Sequence, residues 1–363
     1  MTSILAGHAK ATDINVTHRV PQMVARAGSS GSVYVLWSAT CGASRCYQLA
    51  RTNNGGRKFV VVTAPPISAE PKSLGSSTGS LDRLVFANAL DGYATEAYWS
   101  AQNTLYATFD GGYKWQKEPT KRGEVIEALN ASPNAFYEVT ARCDASHHTC
   151  SHWELRHTPL TSAHWTSVPL AKNVAGGSPS PGVTITAYGP DVWIRVDTVS
   201  GVPRLATSTD GGRTFTVKSE AVLGAAAACV PTATSATTLW ATCAEGNMLG
   251  ELLYSSDGGA RWNLTSQDLR GHLSFGIFDP ISRGVAYATD GFDTPNTRRI
   301  YRIVNNSEKP TLIGTAPDGY LYSLTFINAK QGLAWGPTPG DVEPYWLWST
   351  QDGGRYWSRI SSP

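Results

Sequence analysis

The stretch Thr108-Phe109-Asp110-Gly111-Gly112-Tyr113-Lys114-Trp115 decides the fold, because the chain returns to it. It reads Ser or Thr, any residue, Asp, Gly, Gly, two variable residues and an aromatic. The same eight-residue figure occupies 208–215, 255–262 and 350–357. A softened copy, with Asn54 for the Asp and Phe59 for the Trp, occupies 52–59. The Asp carboxylate can accept hydrogen bonds from N–H groups of its own turn, and the glycines take positive φ at no steric cost. The closing aromatic opens the next strand and buries a large ring. Such a figure is a hairpin device rather than a catalytic one.

The spacing sets the architecture. Asp110 and Asp210 are 100 residues apart, Asp210 and Asp257 are 47 apart, and Asp257 and Asp352 are 95 apart. The two long intervals each hold one eroded copy, at 158–165, where Thr158 and Trp165 survive, and at 302–306. Five readable and two eroded copies give seven units of about 50 residues, a period of solenoids and propellers. Each unit holds four short strand-like runs, which favours the propeller. In the first unit these are 20–27, 33–39, 47–52 and 58–63, and the first strands of the fifth and sixth are placed at 225–230 and 273–278.

The motif resembles that of the Asp-box, or BNR-repeat, β-propellers. That family includes sialidases, sortilin-type receptors, xyloglucan hydrolases and proteins like the photosystem II stability/assembly factor. The last group is the most similar. Leu84-Val85-Phe86 followed by Gly92-Tyr93-Ala94, and Leu324-Thr325-Phe326 followed by Gly332-Leu333-Ala334, repeat its blade pattern. The resemblance implies an all-β fold: one seven-bladed β-propeller of four-stranded antiparallel blades, with Asp-box turns between third and fourth strands. Residues 13–363 would form it, and 1–12 a leader or an expression remnant. Asn54, Asp110, Asp210, Asp257 and Asp352 would be structural.

Charged residues make up 16% of the 363, with a net charge of +2. That balance, without any basic run, points away from nucleic acid and from membrane surfaces. No apolar run is long enough for a transmembrane segment. The six cysteines fall as local pairs: Cys41 with Cys46, Cys143 with Cys150, and Cys229 with Cys243. Each pair spans one hairpin, which fits disulfides made in an oxidising compartment. The expectation is an extracytoplasmic monomer, its signal peptide removed, with no cofactor.

Propeller geometry puts the Asp-box turns and the loops between first and second strands on one face. The other face, around the channel mouth, takes the long loops 64–80, 171–182, 290–298 and 336–344, and ligand sites are expected there. His18-Arg19-Val20-Pro21 resembles the Arg-Ile-Pro signature of sialidases, whose arginine grips a carboxylate by a bidentate pair. Arg195 could be a second such arginine. Yet residues 22–53, where that resemblance demands an acid/base Asp, contain no Asp or Glu. Losing that acid forfeits about 10²–10⁴-fold in rate. Asp290, Asp293, Asp341 and Glu343 place carboxylates on neighbouring mouth loops, able to hydrolyse a glycoside, to hold calcium or simply to be solvated. Three histidines beside Cys143 and Cys150 suggest a metal only if the thiols are free, and no metal is expected. Trp99, Trp335 and Trp346 could stack on sugar rings or fill the core. The reading is a non-catalytic binding or assembly module for a protein or glycan; the alternative is a sialidase-like glycoside hydrolase.

Overall fold

The computed structural model describes residues 16–28, 30–69, 81–96, 103–121, 123–144, 149–171, 174, 182–196, 204–218, 228–245, 249–265, 277–282, 284–289, 299–304, 310–316, 321–337 and 345–360. Among these residues twenty-eight strands run in sets of four. The first set is β1 (Val16–Ala27), β2 (Ser32–Cys41), β3 (Ser44–Thr52) and β4 (Val60–Val62). The second is β5 (Leu81–Phe86), β6 (Gly92–Glu96), β7 (Leu105–Thr108) and β8 (Gln116–Glu118). The third is β9 (Glu124–Ala131), β10 (Ala135–Cys143), β11 (Cys150–Pro159) and β12 (Thr166–Pro169). The fourth is β13 (Val183–Tyr188), β14 (Asp191–Val196), β15 (Arg204–Ser208) and β16 (Thr216–Lys218). The fifth is β17 (Ala228–Ala233), β18 (Leu239–Glu245), β19 (Leu249–Ser255) and β20 (Asn263–Leu264). The sixth is β21 (Phe278–Ser282), β22 (Val285–Thr289), β23 (Arg299–Val304) and β24 (Thr311–Thr315). The last is β25 (Ser323–Phe326), β26 (Gly332–Pro337), β27 (Tyr345–Thr350) and β28 (Ser358–Ile360).

Within every set the strands pair antiparallel in chain order, and the motif turns join third to fourth strand. The first two sets merge into one eight-stranded sheet through a single parallel pair, Ala27 with Phe86; the others are separate four-stranded sheets. First strands of neighbouring sets adjoin one another, β1 meeting both β5 and β25, so they line an axis. This is a β-propeller arrangement.

Second strands are buried on both faces because each set is sandwiched between two others. Along β2, Tyr34 and Leu36 point into a cluster shared with the second set, while Val33, Val35 and Trp37 point into one shared with the last. Strand alternation thus feeds two interfaces at once. Among the described residues the apolar core forms seven such clusters, each between neighbouring sets. The fourth strands are short and largely exposed, which blunts the outer edge.

Of the first strands expected at 225–230 and 273–278, residues 225–227 and 273–276 lie outside the described residues; β17 runs on to Ala233 and β21 to Ser282, beyond the expected ends. Pro231 and Pro280 lie inside these strands, as Pro21 lies inside β1. Read along the chain they look like breakers. On the axial edge of a sheet, however, a missing N–H leaves no ladder bond unmade.

Candidate functional site

The motif turns are built alike. Thr108 Oγ1 donates to Asp110 Oδ1 at 3.0 Å and accepts from Gly112 N at 2.9 Å, and Lys114 N donates to Asp110 Oδ1 at 2.9 Å. The turns at Asp210, Asp257 and Asp352 repeat all three bonds, and the Asn54 turn keeps them with its amide oxygen. Gly111 N also donates to Leu90 O, in the loop between first and second strands, at 2.8 Å; Gly211, Gly258 and Gly353 do the same in their own sets. Both loop classes therefore share one face. The second glycine and the aromatic of each motif press on the preceding set. Gly112 lies against Val62 and Leu49, and Trp115 Nε1 reaches Thr63 O at 2.8 Å. These turns hold neighbouring sets together, which is why the motif recurs.

Blade-to-blade packing also closes the ring. Gly56 lies against Ile360 and Leu333, and Gln351 Nε2 donates to Gly55 O at 2.8 Å. Arg26 on β1 donates to Phe326 O at 3.0 Å and Pro280 O at 2.8 Å, and pairs with Asp279 at 3.3 Å. Asp279 is buried, which pushes its carboxyl up, while Arg26 and the Phe326 N–H pull it down. Among the described residues no strand is exchanged between the first set and the last, and these seam bonds run from side chains to backbone carbonyls and to Asp279.

At the opposite face the seam opens into a cleft of about 570 Å³. One wall is Gln22 on β1, Ser38 and Thr40 on β2, and Arg45 on β3. The other is Tyr322, Trp335 and Tyr345 from the last set. The three rings pack together, with centroids 5.2 Å apart for Tyr322–Trp335, 5.7 Å for Tyr322–Tyr345 and 6.2 Å for Trp335–Tyr345. Tyr322 is 56% exposed. Trp335 also packs on the seam core beneath, and its indole Nε1 is buried without a hydrogen-bond partner. Gln22 Nε2 donates to Ser38 Oγ at 3.0 Å. No carboxylate lines this cleft among the described residues.

Of the expected ligand-site residues, only Arg19 and Arg195 are among those described. Arg19 is half-buried at the start of β1, next to the cleft residue Val20, with its Nε buried and without a hydrogen-bond partner. Arg195 is 3% exposed in β14, inside the fourth set and away from the cleft lining. Asp290, Asp293, Asp341 and Glu343 lie outside the described residues, as does Trp99. Trp346 is covered by the Arg359 guanidinium. Of the two described tryptophans, Trp335 lines the cleft and Trp346 does not. Tyr322 was missed, although its sequence carried a signal: an aromatic directly after the buried Leu321, at the start of an axial strand.

Two buried polar clusters lie elsewhere. Between the second and third sets, Arg156 Nη1 approaches Glu138 at 2.8 Å and Glu124 at 3.5 Å. Burial pushes the Glu138 carboxyl up to about 7 against the pull of Arg156. In the third set, Glu127 Oε1 lies 3.5 Å from Cys143 Sγ, whose sulfur is bonded to that of Cys150. Thiolate ligation there would require reduction. Cys41–Cys46 and Cys229–Cys243 are likewise disulfides, so all three expected pairs are present.

No family model matches the chain, and no curated protein matches it either. Solved structures do. YCF48 bound to a D1 peptide is 16% identical, with a TM-score of 0.52, covering 82% of this chain and 87% of that one. YCF48 from Cyanidioschyzon merolae is 13% identical, with a TM-score of 0.54, covering 80% and 88%. The acylaminoacyl peptidase of Pyrococcus horikoshii is 9% identical, with a TM-score of 0.61; the match covers 95% of this chain but 52% of that one. At such identities the likeness is one of fold, and the fold is that of a β-propeller.

Proposed function

We propose that this chain is an exported, seven-bladed propeller of the Asp-box type that binds a ligand without transforming it, and that the seam cleft is the seat. The observation that carries this reading is the cleft itself. It puts exposed aromatic rings and polar side chains together on the face opposite the motif turns. Seven interfacial clusters support seven blades, and three disulfides support export. Among the described residues no helix is long and apolar enough to cross a membrane. The fold likeness to YCF48, seen with a peptide bound, favours a binding or assembly role over a reaction. Arg19 remains the proposed anion contact beside the cleft, and Arg195 is better suited to a structural role.

The test is a glycan array and a pull-down from an extracytoplasmic extract, each run with wild type and Tyr322→Ala. A ligand that the variant loses supports the reading. If every ligand found is held equally by the variant, the seat is wrong. The protein should also leave an activated aryl sialoside intact. Hydrolysis of that substrate, abolished by Arg19→Ala, would overturn the non-catalytic reading.

A further inference from the structure

Resting on that reading, we infer that the seam cleft is a carbohydrate subsite: a pyranose ring lies on Tyr322, and Gln22, Ser38, Thr40 and Arg45 take its hydroxyls. The inference starts from exposure. A tyrosine ring 56% exposed, with two further rings packed against it, is a flat apolar platform held in place from behind. An aromatic face carries negative charge density. The axial C–H bonds of a pyranose carry the complementary positive charge on a flat apolar face of matching size.

The opposite wall fits the rim of such a ring. Its side chains are an amide, two hydroxyls and a guanidinium, groups that between them both donate and accept. A sugar needs that mixture, because each of its hydroxyls does both. A purely apolar ligand would strip water from four polar side chains and return no hydrogen bond. At about 570 Å³ the cleft has room for a short oligosaccharide rather than a folded surface. The platform comes from the last set and the polar rim from the first, so a bound sugar would also bridge the seam and resist its opening.

The probes are cellotetraose, chitotetraose and tetragalacturonate, titrated by calorimetry and by tryptophan fluorescence, since Trp335 lies under the platform. At least one should bind and raise the melting temperature, the rise growing with the logarithm of its concentration once that exceeds Kd. Tyr322→Ala should weaken that binding about tenfold or more, roughly 1.4 kcal/mol. Tyr322→Phe, which keeps the ring, should stay near wild type. Arg45→Ala should weaken tetragalacturonate more than the two neutral probes. No binding by any of the three at about 10 mM, where even an affinity of about 4 kcal/mol would register, overturns the inference. So does binding that Tyr322→Ala leaves intact. If the three sugars fail while a protein partner is lost with Tyr322→Ala, the cleft is a protein site; the binding-module reading then survives and the carbohydrate inference does not.

Discussion

Replacing Gly212 by alanine should cost far more than replacing its neighbour Gly211, although both are glycines of one turn with similar backbone angles. Their φ values are 85° and 75°, so an alanine at either position bears the left-handed penalty of about 1–2 kcal/mol. Stiffening the unfolded chain returns about 0.4–1 kcal/mol in both cases. The difference lies in what the new methyl meets. Nothing lies within 4 Å of a Cβ at Gly211, whereas one at Gly212 would fall on Leu155 Cδ2. Leu155 is fully buried in the cluster between the third and fourth sets, and cannot swing aside without disturbing it. Overpacking of that kind costs about 1–3 kcal/mol. Gly211→Ala should therefore cost about 1 kcal/mol and Gly212→Ala about 2–4 kcal/mol. Urea denaturation followed by tryptophan fluorescence measures both, compared at constant m value. A third variant guards the interpretation: Leu155→Ala makes room, so Gly212→Ala should cost less in that background than alone. Equal costs at the two glycines, or no coupling to Leu155, would refute the claim that the motif joins neighbouring sets.

Arg26→Ala should destabilise the seam by about 3 kcal/mol, at the low end for a broken buried pair because Arg26 is partly exposed. A loss within about 0.5 kcal/mol, the range of an ordinary surface change, would mean that the seam is held elsewhere. Burial raises the native Glu138 carboxyl from its ordinary 4.5 to about 7, so between those values the native state binds more protons than the unfolded one. Stability from this group is therefore present at low pH and lost as pH rises through that window, by up to about 3 kcal/mol. Glu138→Gln should gain on wild type between pH 5 and 8, and a gap constant across that range would sink the assignment. Denatured, unreduced protein should show no titratable thiol; finding six would remove the disulfides and the export reading with them. Each bridge closes a loop with a sequence separation of 5, 7 or 14, so each should contribute at or below about 3 kcal/mol.

The cement of this protein was legible in its sequence and its cleft was not, for one physical reason. The motif works through local bonds: Asp110, Thr108 and Gly112 satisfy one another within a few residues, so their chemistry is written contiguously. Disulfides between residues opposed in one hairpin, such as Cys229 and Cys243, are legible on the same ground. The cleft is made by residues almost a whole chain apart, Gln22 against Tyr322, and exists only once the ring shuts. No periodicity announces that the first set will meet the last. The strands that run past their expected ends follow the same logic: Pro231 and Pro280 break a strand in local terms and are harmless on an axial edge that only the closed ring defines. Arg19 shows the limit of local resemblance. A short signature placed it at the start of β1, where it does lie, but a signature cannot supply the partners that a site needs around it. Such partners lie beyond the signature: the described lining of the cleft brings rings from the last set and hydroxyls, an amide and a guanidinium from the first. A site at a seam is therefore best sought from the closed architecture outward, by asking which side chains the last strand to arrive brings to the first.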